Sequence, residues 1–194
     1  MDPKTNSMST GIYQIKATLK GSRPPVWRRF QVPADITLRR LHLVLQTVMG
    51  WTGYHLHMFI IDGLEYGEPD EDDFAPLEDE SRARLGRVVQ CEKTRFAYTY
   101  DFGDGWDHSL LVEKIIPLQE GAIYPICLAG ARACPPEDCG GIDGYAELLQ
   151  ALQNPNHERH SELRHWLGDS FDTGAFDLPE VNQALREMNL MRRR

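Results

Sequence analysis

No run of about 18 apolar residues occurs in the chain, which excludes a membrane-spanning helix. The opening MDPKTNSMST lacks the apolar stretch of a secretory signal, and this sets the expectation of a cytoplasmic protein. Also missing are a G-x-S-x-G elbow, a Walker loop, a dinucleotide fingerprint and an HExxH helix. Their absence removes the commonest hydrolase, nucleotide-binding and zincin mechanisms. There is no internal repeat and no low-complexity tract. Cysteine is scarce, at four in 194 residues. A chain this long needs no staples, since folding can remove roughly 70% of its unfolded surface from water.

Bases are missing from one segment. Residues 61–80 hold ten acids and no Lys or Arg, whereas residues 1–60 hold eight basic side chains against Asp2 and Asp35. The net charge of −8 makes the whole chain a poor generic nucleic-acid binder. A locally basic face carrying Arg28, Arg29 and Arg39 could still meet a phosphate backbone or a protein partner. Against this, the acidic segment could lie over the basic one and cancel it.

The pattern along the chain predicts an α+β fold. Residues 1–10 read as a flexible tail, 11–189 as a single domain and 190–194 as a basic tail. Strict alternation over residues 11–21 predicts a half-buried strand, and VWRRFQV at 26–32 returns as its antiparallel partner, with Trp27 among the pair's large apolar groups. Leu38, Leu41, Leu45 and Val48 recur at helical steps, with Asp35 or Thr37 as N-cap and Gly50 as C-cap. His55–Ile61 reads as a third strand, and 62–82 as a long acidic loop with a short strand near Leu64–Tyr66. Strands at 94–102 and 106–116 flank Gly103-Asp104-Gly105, a strong hairpin signal. Residues 117–141, rich in Pro, Gly and Cys, are expected to be irregular. Helices are predicted near 142–153, 157–167 and 178–188. This order lacks βα alternation, so a mainly antiparallel sheet with an early packing helix and a helical C-terminal third is expected.

Three constellations could carry chemistry. Cys127, Cys134 and Cys139 lie within thirteen residues and could supply three ligands of a zinc site, the fourth coming from Cys91, His55, His57, His108 or Asp138. Ordinary packing of reduced thiols, or redox chemistry, are the alternatives, and the nearby Glu137 and Asp138 disfavour a thiolate. YDFGDGWDH crowds Asp101, Asp104, Trp106, Asp107 and His108 at one hairpin tip, suited to a hard cation or an acid/base pair, or simply to a solvated turn. His55 and His57, about 7 Å apart along a strand, could share a metal with His108 or be ordinary polar side chains of the sheet. The terminal Arg192-Arg193-Arg194 reads as solvated.

The segments VWRRFQVPADITLRRLHLVLQTVMGW, HLHMF, YTYDFGDGWDH and CLAGARACPPEDCGGIDGY, in that order, resemble the Ri-plasmid Orf-three-like family, also labelled TnpR-like passenger proteins of an insertion element. The resemblance spans Ile12 to Asn189. It implies a single roll-like α+β domain and an association with mobile DNA. No serine-recombinase signature accompanies the label, because Ser22-Arg23 and Ser81-Arg82 stand isolated.

These readings define competing functions. One is a binding module for a protein or nucleic-acid partner, without a membrane role, stabilised by zinc in the Cys loop. Another is a metal-dependent hydrolase or nuclease using His55, His57, Asp101, Asp104 and His108, with Trp51 or Trp106 as a stacking wall. A structural accessory to a mobile element is the third.

Overall fold

Alternating burial dictates the first element and most of the sheet around it. The computed structural model describes residues 11–69, 77–168 and 171–190. It contains β1 (Gly11–Leu19), β2 (Trp27–Pro33), α1 (Leu38–Met49), β3 (His57–Ile61) and β4 (Leu64–Gly67). Then come β5 (Glu78–Asp79), α2 (Leu85–Val88), β6 (Arg95–Tyr100) and β7 (Trp106–Pro117). The last third carries β8 (Ile126–Ala131), α3 (Gly141–Gln153), α4 (His160–Leu167) and α5 (Leu178–Leu190). Of the residues read as the two tails, 1–10 and 191–194 fall outside the described residues, and Leu190 is the last residue of α5.

Eight strands form one open sheet in the order β5-β4-β3-β6-β7-β1-β2-β8. All neighbours are antiparallel except β4 and β5. The expected antiparallel α+β domain is therefore present. One face of the sheet is covered by α1, whose Leu38, Leu41, Val44, Leu45 and Val48 are at most 1% exposed. Each such side chain contributes on the order of 2 kcal/mol by leaving water. Thr37 Oγ1 accepts from the Arg40 N–H at 3.3 Å to start the helix. Gly50, at φ 92°, closes it in the left-handed conformation that favours glycine.

The other face carries a polar ladder. Arg29 grips Glu113 with two bonds of 2.7 and 2.8 Å, and Gln14 donates to the same carboxylate. Trp27 lies on this half-exposed face, with Lys16 Nζ 4.7 Å from its ring centroid.

Arg28 points the opposite way. It shares parity with Val26, Phe30 and Val32 and is 2% exposed. Its guanidinium donates to the carbonyls of Val48, Trp27, Ala131 and Arg132, and the Phe176 ring lies 4.4 Å away. The expectation of Arg28 on a phosphate-facing surface is corrected on this ground, because its guanidinium is buried and committed to four carbonyls inside. Gly130 makes room for the arrangement, since a Cβ there would come within 2.6 Å of Phe176.

The segment expected to be irregular contains β8, which pairs with β2 through Trp27↔Ala131 and Phe30↔Cys127. Its outer edge meets α5. There the Asn182 side chain accepts from the Cys127 N–H at 2.8 Å and donates to the Cys127 carbonyl at 2.9 Å.

Candidate functional site

Three segments far apart in sequence meet where β3 begins. His55 precedes the strand, Asp101 opens the turn between β6 and β7, and Asp138 lies between β8 and α3. His55 Nε2 is 3.7 Å from Asp101 Oδ2 and 3.6 Å from Asp138 Oδ1. One ligand atom from each lies within 4.8 Å of the others, and among the described residues this is the one such group of three His, Cys, Asp or Glu side chains.

Local chemistry fixes each arm. The Asp101 N–H donates to Leu56 at 2.8 Å, tying the hairpin tip to the entry of β3. Asp101 Oδ1 accepts from the Gly103 and Asp104 N–H groups, closing an Asx turn at φ 55°. Asp138 also sits at positive φ, 59°. Gly141 then lets the third arm approach: a Cβ on it would lie 2.4 Å from the Asp104 carbonyl oxygen. Gly144 is equally constrained, since its Cβ would fall 2.0 Å from the Cys139 carbonyl oxygen. The main chain at Gly141 thus packs close against the hairpin tip.

A carboxylate and a phenol support the group from behind. Glu137 accepts from Tyr100 Oη at 2.6 Å and from both the backbone and the hydroxyl of Thr52. Burial alone would raise the Glu137 carboxyl, but the bonds from Thr52 and Tyr100 outweigh it and hold the group below its ordinary range. Burial, and then the Glu137 carboxylate, push the Tyr100 phenol upward. Trp51 Nε1 donates to the Pro135 carbonyl at 3.0 Å, fixing the loop that carries Glu137.

The predicted strand histidines separate. His57 Nε2 lies 2.7 Å from Glu80 Oε2, and Glu80 is only 2% exposed although it ends the acidic segment. The His42 ring stacks on His57 with centroids 3.5 Å apart, and His42 Nδ1 lies 2.8 Å from Tyr98 Oη. Burial first, then His57 and Arg39, lower His42 to about 3. His108 is fully buried, with its pKa lowered to about 4 chiefly by burial. Neither of its ring nitrogens has a partner in hydrogen-bond geometry. The carbonyls of Trp106 and Tyr98 offset that burial only in part. The expected grouping of His55, His57 and His108 is thereby corrected: His57 faces α1, and His108 belongs to the core. His42, Glu80 and Tyr98 were not singled out in the sequence, and Glu137 stood there only as a charge near the thiols.

Trp51 and Trp106, expected as a stacking wall, are 7% and 1% exposed and pack on each other at 5.9 Å. Asp104 keeps a buried Oδ2 without a partner and raises Cys139 rather than joining His55. Cys127 points into the β2–β8 pairing, its Sγ 3.5 Å from the Arg29 carbonyl. Burial pushes the Cys134 thiol up, and Cys139 is pushed up to about 12 by burial and then by Asp104 and Asp138. The three thiols form no ligand group among the described residues. Arg39 lies 3.5 Å from Glu68, so Arg28, Arg29 and Arg39 do not make one free basic face.

A single α+β domain with an open, mainly antiparallel sheet is the class of protein defined here. The chain belongs to the family of plasmid pRiA4b ORF-3-like proteins, whose model matches residues 11–180. The match carries that description and not the TnpR-like label. The chain is similar to the uncharacterised protein y4hQ of Sinorhizobium fredii, 40% identical over 93% of this chain and 94% of the relative. It is also similar to a solved structure, the protein of unknown function MM3350 from Methanosarcina mazei Go1. That structure is 41% identical with a TM-score of 0.82, covering 88% of this chain and 97% of the other. No helix among the described residues is long and apolar enough to cross a membrane.

Proposed function

We propose that this chain is a divalent-metal protein whose ion is held by His55, Asp101 and Asp138, and that the reaction class it serves is metal-assisted hydrolysis. The carrying observation is the convergence of one imidazole and two carboxylates from three separate segments. Ligands about 2.1 Å from a tetrahedral ion are about 3.4 Å apart. The two His55 to aspartate distances, 3.7 and 3.6 Å, are already within a few tenths of that edge. Three protein ligands leave a coordination position for water and substrate, the layout of catalytic rather than closed structural sites. A mixed N/O set suits zinc or manganese.

A second reading has its own observation. Asp101 spends Oδ1 on two turn amides, so the ion could serve only to clamp the hairpin tip to the Cys loop of a binding module.

The test is elemental analysis of the purified chain after chelation and reloading with zinc or manganese. One ion per chain is expected, lost in His55→Ala and in Asp138→Asn and retained in Cys134→Ser/Cys139→Ser. Retention in the first two variants, or loss in the third, would overturn the assignment. Manganese-dependent cleavage of bis(4-nitrophenyl) phosphate that disappears in Asp138→Asn supports hydrolysis. A loaded ion with no turnover supports the clamp.

A further inference from the structure

A cavity lies at the other end of α1 from the proposed ion. It encloses about 860 Å³, and its lining includes Arg40, Arg84 and Arg186, with Asp35 as the one acid on its described wall. Small-molecule sites fall at roughly 300–1,000 Å³. The rest of the lining is mostly apolar and includes Leu43, Val44, Ile123 and Met188. Ile123 is 65% exposed there, an unusual position for a large aliphatic side chain with nothing covering it.

Backbone pairing holds Arg84 in place. Thr37 and Arg84 form an isolated β-bridge, and the Leu38, Leu85 and Gly86 N–H groups donate to Ala83, Ile36 and Ala34. Arg84 also donates to the Asp35 carbonyl, and both residues line the cavity. Arg186 comes from α5, whose end is held to α1 by the Thr47 hydroxyl 3.7 Å from Met188 Sδ. The α1 N-terminus itself is not the anchor, because its first amides already have partners.

We infer that this cavity binds an organic anion, a carboxylate or phosphate group on an apolar body. Arg84 and Arg186 take the charged end, because guanidinium forks match those groups with paired hydrogen bonds. The apolar lining at Ile123 and Met188 takes the apolar body. A concave cavity with such a lining does not suit an extended nucleic-acid backbone, which calls for a continuous basic surface. The inference is independent of the metal reading. The 12 residues of α1 put about 18 Å between its two ends.

The experiment is calorimetric titration of the intact chain with octanoate, phenyl phosphate, inorganic phosphate, octanol and phenol. At least one organic anion is expected to saturate the site about tenfold more tightly than inorganic phosphate and than its neutral counterpart. Octanoate alone would identify a carboxylate site, and phenyl phosphate alone a phosphate site. Arg84→Gln/Arg186→Gln should weaken binding about tenfold or more with an unchanged circular dichroism spectrum, while the remote Arg164→Gln leaves it unchanged. Ile123→Ala should weaken it with both arginines intact, which keeps the test open if the double variant misfolds. No saturable binding of either organic anion, equal binding of the neutral compounds, or full affinity in a folded double variant would overturn the inference.

Discussion

His55 and the trio His42, His57 and His108 lie in neighbouring parts of the molecule but in opposite environments. The His55 side chain is 32% exposed and looks at two carboxylates from other segments. His57 is 11% exposed at its side chain, and His42 and His108 are 6% and 0% exposed. The difference comes from where β3 begins. Alternation places residues 55 and 57 on one face only if both are in the strand, yet the strand starts at His57. His55 precedes that pleat and faces the hairpin tip. The lesson is that the histidine outside the regular element is available as a ligand, while the ones inside it are used for packing.

Acid titration should break this comparison most visibly. In the unfolded chain His42 and His108 take up protons near pH 6.5, the ordinary histidine value, but in the fold they resist until about 3 and about 4. The unfolded state therefore binds more protons in that window. Stability is full above about pH 6.5 and falls below it by up to about 1.4 kcal/mol per unit for each buried histidine. Chemical denaturation across pH 4–7 should show that slope, and His42→Gln should flatten it. An equally steep acid limb in the variant would remove His42 from the account.

Next in size is Glu80→Ala, which strands His57 in the interior. Loss of one partner of a buried pair costs about 3 kcal/mol, roughly 6–12 °C in Tm for a domain of this size. Metal loading at His55 should persist in the folded variant. If it vanishes, the two histidine regions are one unit and the comparison fails.

His55→Ala should behave in the reverse way, weakening zinc affinity about tenfold or more, at least about 1.4 kcal/mol, with little change in Tm of the metal-free chain. The smallest effect belongs to His108→Leu. Removing a buried ring without good hydrogen bonds should shift stability at pH 7 by less than about 1 kcal/mol. A large loss would show that His108 has a polar role that its geometry does not reveal.

Much of the fold was legible because period and turn chemistry are local. β1, α1 with its Gly50 cap, and the hairpin around Asp104-Gly105 follow from local pattern, and of the two N-cap candidates, Asp35 and Thr37, the helix uses Thr37. β8 was not legible, since Leu128-Ala129-Gly130-Ala131 has no apolar alternation and is a strand only through its pairing with β2. Arg28 is instructive in another way. Its parity with Val26, Phe30 and Val32 pointed inward, and only its charge suggested the surface. Of the candidate site, His55 and Asp101 stood in motifs that could be singled out, with Asp138 only among the alternatives for a fourth zinc ligand. Their convergence depends on Gly141 backing onto Asp104, a contact between residues 37 positions apart that no local pattern encodes. Asp35, Arg84 and Arg186 are just as scattered.

Asn182 has a consequence for how copies of this domain meet. A sheet edge is a template, a row of main-chain groups ready to recruit another strand. At β8 the side-chain amide of Asn182 occupies both groups of Cys127, so α5 imitates a single residue of a ninth strand. Any chain seeking to extend the sheet on that side must first displace the helix. One amide therefore works against runaway self-association along β8, and no covalent bond is needed to do it.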